Sequence, residues 1–253
     1  MRAGREGARV RLTVVIPVYK EHRRLEASIR AVAAFVASEK DVAVDVVFVD
    51  DGSPDDSATI INTLLADRDD PCLRLLRYPV NQGKGFAVKT GMLVAEGDLI
   101  LMSDADLSTP LEDWRKLKAA IDGGADIACG SRAVAGAHIG KPPPLLRQML
   151  SRIFNLLVRV AGVHGIRDTQ CGFKLFRAEA AKKIFGRLRT KRFAFDVELI
   201  AMARDLGYRV DEVPVNWDYS GHSTVRVFSS GGRMLLDVFL LAVRRLVLGK
   251  YKP

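Results

Sequence analysis

An α/β fold, with a mostly parallel sheet flanked by helices, is what residues 11–130 predict. Short β-branched apolar runs recur along this stretch, helical periodicity fills the intervals between them, and the unusual polar clusters fall directly after the runs. The runs are continuous rather than alternating, as strands covered on both faces must be.

The first run, Leu12–Pro17, is followed by a helical pattern over 23–38. Val44–Val49 precedes a second helix over 56–67, and Leu73–Arg77 a third over 84–95. Leu99–Met102 leads to a helix over 111–122, and Ile127–Cys129 closes the series. Ligands of such sheets sit beyond the carboxyl ends of the strands. Pro17-Val18-Tyr19-Lys20-Glu21 follows the first run, Asp50-Asp51-Gly52-Ser53 the second and Asp104-Ala105-Asp106 the fourth. Beyond residue 131 the rhythm breaks. Gly136–Pro144 reads as a loop, Leu145–Val160 as a helix with Arg147, Arg152 and Arg159 among apolar residues, and Phe193–Leu206 as another helix. Arg209–Trp217 reads as a strand and Met234–Leu248 as a largely apolar closing helix.

A length of 253 residues suits one α/β domain over 1–230 with a C-terminal amphipathic helix over 231–253. The net charge of +9 is unevenly spread. Between Ser131 and Arg192 stand 14 Lys and Arg against Asp168 and Glu179, a local +12 that leaves the remainder at −3. Such asymmetry fits an anionic partner as well as it fits a solvated basic face. The stretch lacks the interleaved aromatics of a nucleic-acid stacking platform, so no nucleic acid is expected. Cys72, Cys129 and Cys171 match neither a metal-site spacing nor a disulfide framework, which points to a reducing, cytoplasmic setting. No signal peptide is expected from the N-terminal pattern, and no apolar run is long enough to span a bilayer, which leaves peripheral attachment.

Three clusters carry candidate chemistry. Asp104 and Asp106, at i and i+2 beyond a strand end, could converge on a hard divalent cation, Mg²⁺ or Mn²⁺, although the same triplet also serves ordinary turns. Asp50-Asp51-Gly52-Ser53 reads either as a turn and helix cap or as an acid for a nucleobase imide, with Asp51 as the binding residue. Asn81-Gln82-Gly83-Lys84-Gly85 opens a helix, where free amides favour an anion and Lys84 adds a charge. It fits neither the P-loop nor the dinucleotide glycine pattern.

Together with Val15-Ile16-Pro17-Val18-Tyr19-Lys20-Glu21 and Met102-Ser103-Asp104-Ala105-Asp106, these strings resemble the family-2 glycosyltransferases, which carry the nucleotide-binding GT-A fold. Gly165-Ile166-Arg167-Asp168-Thr169-Gln170-Cys171-Gly172-Phe173-Lys174-Leu175, Phe193-Ala194-Phe195-Asp196-Val197-Glu198-Leu199 and Val213-Pro214-Val215-Asn216-Trp217 narrow the likeness. They resemble the dolichyl-phosphate β-glucosyltransferase group, neighbour to the dolichyl-phosphate mannose synthases. The resemblance implies a metal-dependent inverting transferase that takes a nucleotide sugar donor, UDP-glucose, and a polyprenyl phosphate acceptor at the cytoplasmic face of a membrane. GDP-mannose as donor and a soluble saccharide hydroxyl as acceptor stay open.

By that likeness Pro17, Tyr19, Glu21, Val49 and Asp51 line the nucleoside pocket, while Asp104, Asp106 and the Ala105 backbone face the diphosphate and its metal. Arg132 meets a donor or acceptor phosphate. Arg132, Ser151, Arg152 and Lys174 are the expected acceptor-phosphate residues, and Asp196, with Glu198, orients the site, acts as base, or simply pairs with Arg192 at the helix end. Where relatives often carry a Lys near the C-terminal end, this chain has Gly221-His222-Ser223-Thr224, with Arg226 as the candidate substitute. The two Arg-flanked apolar helices, 145–160 and 234–248, are candidates for lying in a membrane interface.

Overall fold

β1 (Arg11–Val18) runs parallel to β2 (Ala43–Asp50) on one side and to β4 (Leu99–Met102) on the other, so the first apolar run sits deep in the sheet. This computed structural model describes residues 9–66, 72–140, 158, 165–218, 236–241, 243–244 and 251. The remaining strands of the main sheet are β3 (Leu73–Arg77), β5 (Ile127–Ser131), β7 (Lys174–Arg177) and β8 (Val210–Pro214). Their order is β3-β2-β1-β4-β7-β5-β8, with β7 antiparallel to both its neighbours and every other pairing parallel. β6 (His138–Ile139) and β9 (Asn216–Trp217) form a separate parallel pair.

Continuous apolar strands are buried on both faces, and alternate residues of each strand enter different cores. Val15, Val47, Val49, Ile100 and Met102 pack on the face covered by α3 (Lys84–Val94), α5 (Ala178–Arg187) and α6 (Phe195–Asp205). Val14, Ile16, Val46, Phe48 and Leu101 face α1 (His22–Ser38) and α4 (Trp114–Asp122). Each such buried side chain contributes about 1.5–3 kcal/mol. α2 (Ser57–Ala66) adds Ile61 to the second core.

The first five strands and the helices between them lie where the apolar pattern predicts. The helix over 111–122 begins as a 3-10 turn at Leu111–Asp113, just after Pro110. The strand over Arg209–Trp217 is two strands in two sheets. Pro214 has no N–H to donate, and beyond it the Val215 carbonyl accepts from His138 while Asn216 N donates to Asp113. The Gly136–Pro144 loop holds β6 within its described part. β7 and α5 were not anticipated, because a fully buried Lys174 opens a four-residue strand and masks its apolar character.

Of the Leu145–Val160 helix only Val158 is described; it is helical and buried in the first core. Ser151, Arg152, Gly221-His222-Ser223-Thr224 and Arg226 lie outside the described residues. Within Met234–Leu248, residues 236–241 and 243–244 are helical. Val238 and Leu241 enter the first core, while Leu236, Phe239, Leu240 and Val243 are exposed. Among the described residues no helix is long and apolar enough to cross a membrane.

Candidate active site at the carboxyl edge of the sheet

The chain winds from β1 outward through β2 to β3, then crosses back to β4 on the other side of β1. That reversal opens a crevice beyond the carboxyl ends of β1 and β4. Ser103 N bonds to the Val15 carbonyl at 3.0 Å, so the Asp104–Asp106 turn leaves β4 alongside the Pro17–Glu21 turn that leaves β1. Lys20 takes a positive φ of 58° there, and its amide and that of Glu21 donate to the hydroxyls of Ser53 and Ser57. Glu21 pairs through both carboxylate oxygens with Arg24, whose guanidinium also reaches Asp106 at 3.9 Å. Burial raises the Glu21 pKa, Arg24 opposes this, and Asp106 and Asp104 add to it.

Asp104 receives the Lys84 ammonium at 2.6 Å. Burial works against its charge, but Lys84, Lys174 and Arg132 outweigh it and hold the carboxyl below its ordinary value. Asp106 accepts Ser108 N at 3.0 Å, which closes the turn. Gly172 lies directly against Asp104: a Cβ there would fall 2.6 Å from Oδ1 and nearer still to Oδ2. Glycine lets the 168–174 segment pass beneath this carboxylate without displacing it.

Asp51 binds the Asn81–Gly85 turn. Its oxygens accept Gln82 N at 2.7 Å, Gly83 N at 2.9 Å and Asn81 Nδ2 at 2.7 Å. Gly52 is in the left-handed region at φ 64°, and a Cβ on it would meet Asn81 N at 2.7 Å. The second cluster therefore serves as a turn that aligns the third, and the first three amide-type donors on Asp51 leave limited room on a carboxylate that offers about four acceptor sites. Val49 is wholly buried in the first core, so its side chain does not line an open pocket.

Farther along the edge, Arg132 follows β5 and is gripped by Asp168. Its Nε and Nη2 donate at 2.7 and 2.9 Å, its backbone N at 3.1 Å, and the guanidinium stands over Trp217 at 5.2 Å. Glu212 in turn accepts Arg167 N and Asp168 N. Lys174 departs from the expectation of a phosphate ligand. Its side chain is 0% exposed, and its ammonium donates to Asp196 at 2.6 Å and to the Cys171 carbonyl. Burial raises the Asp196 pKa, with Lys174 and Lys84 opposing. A carboxylate held this way is a supporting partner rather than an open base, and a phosphate could reach Lys174 only by displacing it. Glu198 is turned elsewhere, accepting Arg189 N and Thr190 N.

The fold thus gathers Pro17, Tyr19, Glu21, Asp51, Lys84, Asp104, Ala105, Asp106, Arg132 and Asp196 along one edge. Sequence reasoning passed over Asp168, Gly172 and Arg24. Asp168 had a signal, being one of two acids in a strongly basic stretch. Arg24 had none, since a basic residue in the first turn of a helix reads as surface.

Among the described residues no group of three or more His, Cys, Asp or Glu could enclose a metal. Two hard carboxylates at one turn suit a divalent cation that takes its other ligands from substrate phosphates and water, as Mg²⁺ does. Asp104 and Asp106 fit a shared site of that kind.

The glycosyl transferase family 2 profile matches residues 13–185. A dolichyl-phosphate β-glucosyltransferase of Trichomonas vaginalis is 38% identical over 241 residues, covering 91% of this chain and 70% of that protein. The Homo sapiens protein of the same name is 34% identical over 245 residues, covering 93% and 76%. Among solved structures, a mannosyltransferase from Pyrobaculum calidifontis in complex with GDP-Man and Mn²⁺ aligns with a TM-score of 0.64 at 20% identity, over 98% of this chain and 67% of that one. Glucosyl-3-phosphoglycerate synthase from Mycobacterium tuberculosis, in complex with Mn²⁺, UDP and glucosyl-3-phosphoglycerate, aligns with a TM-score of 0.68 at 16% identity, over 93% and 80%.

Proposed function

This chain belongs to glycosyl transferase family 2, and from that premise we propose that it moves a glucosyl group from UDP-glucose onto a polyprenyl or dolichyl phosphate with inversion. The observation that carries the reading is the meeting of Asp104 and Asp106 with the Asp51-held Asn81–Gly85 turn at one crevice, in a chain whose relatives of that name match over nine-tenths of its length. Pro17, Tyr19, Glu21 and Asp51 hold the nucleoside. Lys84 and the Ala105 backbone meet the diphosphate. A divalent cation, Mg²⁺ or Mn²⁺, held by Asp104 and Asp106 supplies Lewis-acid neutralisation of the departing diphosphate.

The acceptor needs little help as a nucleophile. A phosphate monoester has a second pKa near 6 and is largely dianionic at pH 7, so its oxygen attacks without giving up a proton. A bond forms from that oxygen to the anomeric carbon while the bond from the carbon to the diphosphate oxygen breaks. The electron pair leaves with the nucleoside diphosphate, and an α-linked donor yields a β-linked lipid phosphate sugar. Asp196, already engaged by Lys174, then orients the floor of the site and accepts no proton. Arg132 presents a guanidinium fixed by Asp168 to the acceptor phosphate, and Ser151 and Arg152 complete its binding.

The lipid places the enzyme at a membrane surface. The helical residues 236–241 and 243–244 bury Val238 and Leu241 yet expose Leu236 (54%) and Phe239 (63%). This apolar face, beside basic residues such as Arg244, suits a monotopic attachment at a cytoplasmic face. Three free cysteines accord with a reducing compartment.

The test incubates purified protein and Mn²⁺ with radiolabelled UDP-glucose or GDP-mannose, with and without polyprenyl phosphate, and counts label in the organic phase. Label from UDP-glucose that requires polyprenyl phosphate is the expected result. Label from GDP-mannose alone would replace the donor, and label retained on a soluble saccharide would replace the acceptor.

A further inference from the structure

Glu198 is a wholly buried carboxylate in the first turn of α6, and the donor site as drawn above makes no use of it. One of its oxygens, Oε2, accepts Arg189 N at 3.1 Å and Thr190 N at 2.6 Å. The other, Oε1, accepts the Tyr251 hydroxyl at 2.7 Å, and Tyr251 N donates to Asp205 at 3.2 Å. The carboxylate therefore ties a residue at the far end of the chain to the loop that precedes α6.

That loop is the outer wall of the Asn81–Gly85 turn. Phe86 N, in the first turn of α3, is shared between the Gly83 carbonyl at 2.9 Å and the Lys191 carbonyl at 3.0 Å. A Cβ at Gly83 would lie 2.6 Å from the Lys191 carbonyl, and a Cβ at Gly85 would lie 2.6 Å from the Thr190 carbonyl. The Lys191 ammonium also sits over the Phe86 ring at 5.4 Å. On its inner side the turn is bound by Asp51, and from its end Lys84 reaches Asp104. The turn is clamped between two carboxylates, Asp51 within the crevice and Glu198 through the loop outside it.

We propose that Tyr251 and Glu198 are positioning residues for donor binding: the Tyr251 hydroxyl fixes the Glu198 carboxylate, which holds residues 189–191 against the start of α3 and so sets Lys84 over the diphosphate site. Burial beside Glu198 raises the Tyr251 pKa well above its ordinary value, so the hydroxyl stays a donor throughout the working range. Neither residue touches substrate, and the proposal rests on the donor site described under the proposed function.

Tyr251→Phe removes one hydroxyl and leaves the ring that packs against the core, so the protein still folds. Binding of UDP with Mn²⁺ is measured by calorimetry, alongside KM for each substrate and the melting temperature. The expected result is a three- to tenfold weaker Kd for UDP and a matching rise in donor KM, with acceptor KM and kcat within twofold of the parent. Glu198→Gln, which keeps an oxygen for the two amides and an NH₂ for the tyrosine oxygen, is expected to lie nearer the parent than Glu198→Ala. Unchanged UDP binding in Tyr251→Phe overturns the proposal. A lower melting temperature with both KM values shifted alike also overturns it, since that marks a purely structural bond. Should the parent protein itself bind no UDP, the donor reading has failed, and this proposal falls with it.

Discussion

Adding one methyl group at Gly172 separates stability from function at this site. A Cβ there would stand 2.6 Å from Asp104 Oδ1 and closer to Oδ2, where ordinary carbon–oxygen contact begins near about 3.3 Å. Something must move by roughly 1 Å, and the atoms in the way are Cγ and both oxygens of one side chain rather than backbone. The fold can therefore absorb Gly172→Ala by swinging the Asp104 side chain about its Cα–Cβ bond, and lower chain entropy in the unfolded state even offers about 0.4–1 kcal/mol in return. Under the proposed mechanism catalysis has no such freedom, because Asp104 pairs with Lys84 and would also hold the cation. A misplacement near 1 Å costs about 100-fold, equal to about 2.7 kcal/mol of barrier. The assay is the initial rate of organic-phase label against Mn²⁺ concentration, with a thermal melt of the same sample. The expected outcome is a rate lower by about two orders of magnitude, a higher Mn²⁺ requirement and a melting temperature within a few degrees of the parent. Full activity in Gly172→Ala would refute the placement of Asp104 as a rigid metal-facing group.

Other perturbations act on the neighbouring pairs. Burial opposes the charge of Asp168, but Arg132 prevails and holds its carboxyl below the ordinary 3.8, so its stabilisation is full above that value and lost as pH falls through the lower folded value. Acid unfolding followed by circular dichroism should be correspondingly less steep below about pH 4 in Asp168→Asn, and acceptor KM should rise at neutral pH because Arg132 is no longer held. Lys174→Met leaves Asp196 buried without its partner and should cost about 3–5 kcal/mol in denaturant unfolding; a loss below about 1 kcal/mol would show that the pair is not buried as described. Phe239→Asp puts a charge on the exposed apolar face and should abolish flotation with anionic liposomes while leaving the melting temperature nearly unchanged.

The parallel core and its crevice were readable because continuous β-branched runs have one stable destination, between two layers of helices. Asp104, Asp106 and Asp51 were readable because each follows such a run. What escaped has a common physical cause. Asp168 and Gly172 act through tertiary partners far along the chain, and so does the bond that turns Glu198, a candidate site acid, away from the crevice: Arg132 lies 36 residues from Asp168 and Tyr251 53 from Glu198. Lys174 misled for the same reason. A lysine in a basic stretch reads as a phosphate ligand, and only the fold reveals the buried aspartate that consumes its charge. β7 was hidden by that lysine as well, since four residues opening on a charge do not resemble a strand covered on both faces.

The central claim is that two neighbouring aspartates hold the cation that neutralises the departing diphosphate. Its most direct test is the Mn²⁺-dependent transfer rate of Asp106→Asn, with saturating donor and acceptor and with the fold checked by circular dichroism. A folded variant slower by at least about 100-fold is the predicted result; a folded variant that turns over at the parent rate would contradict the account.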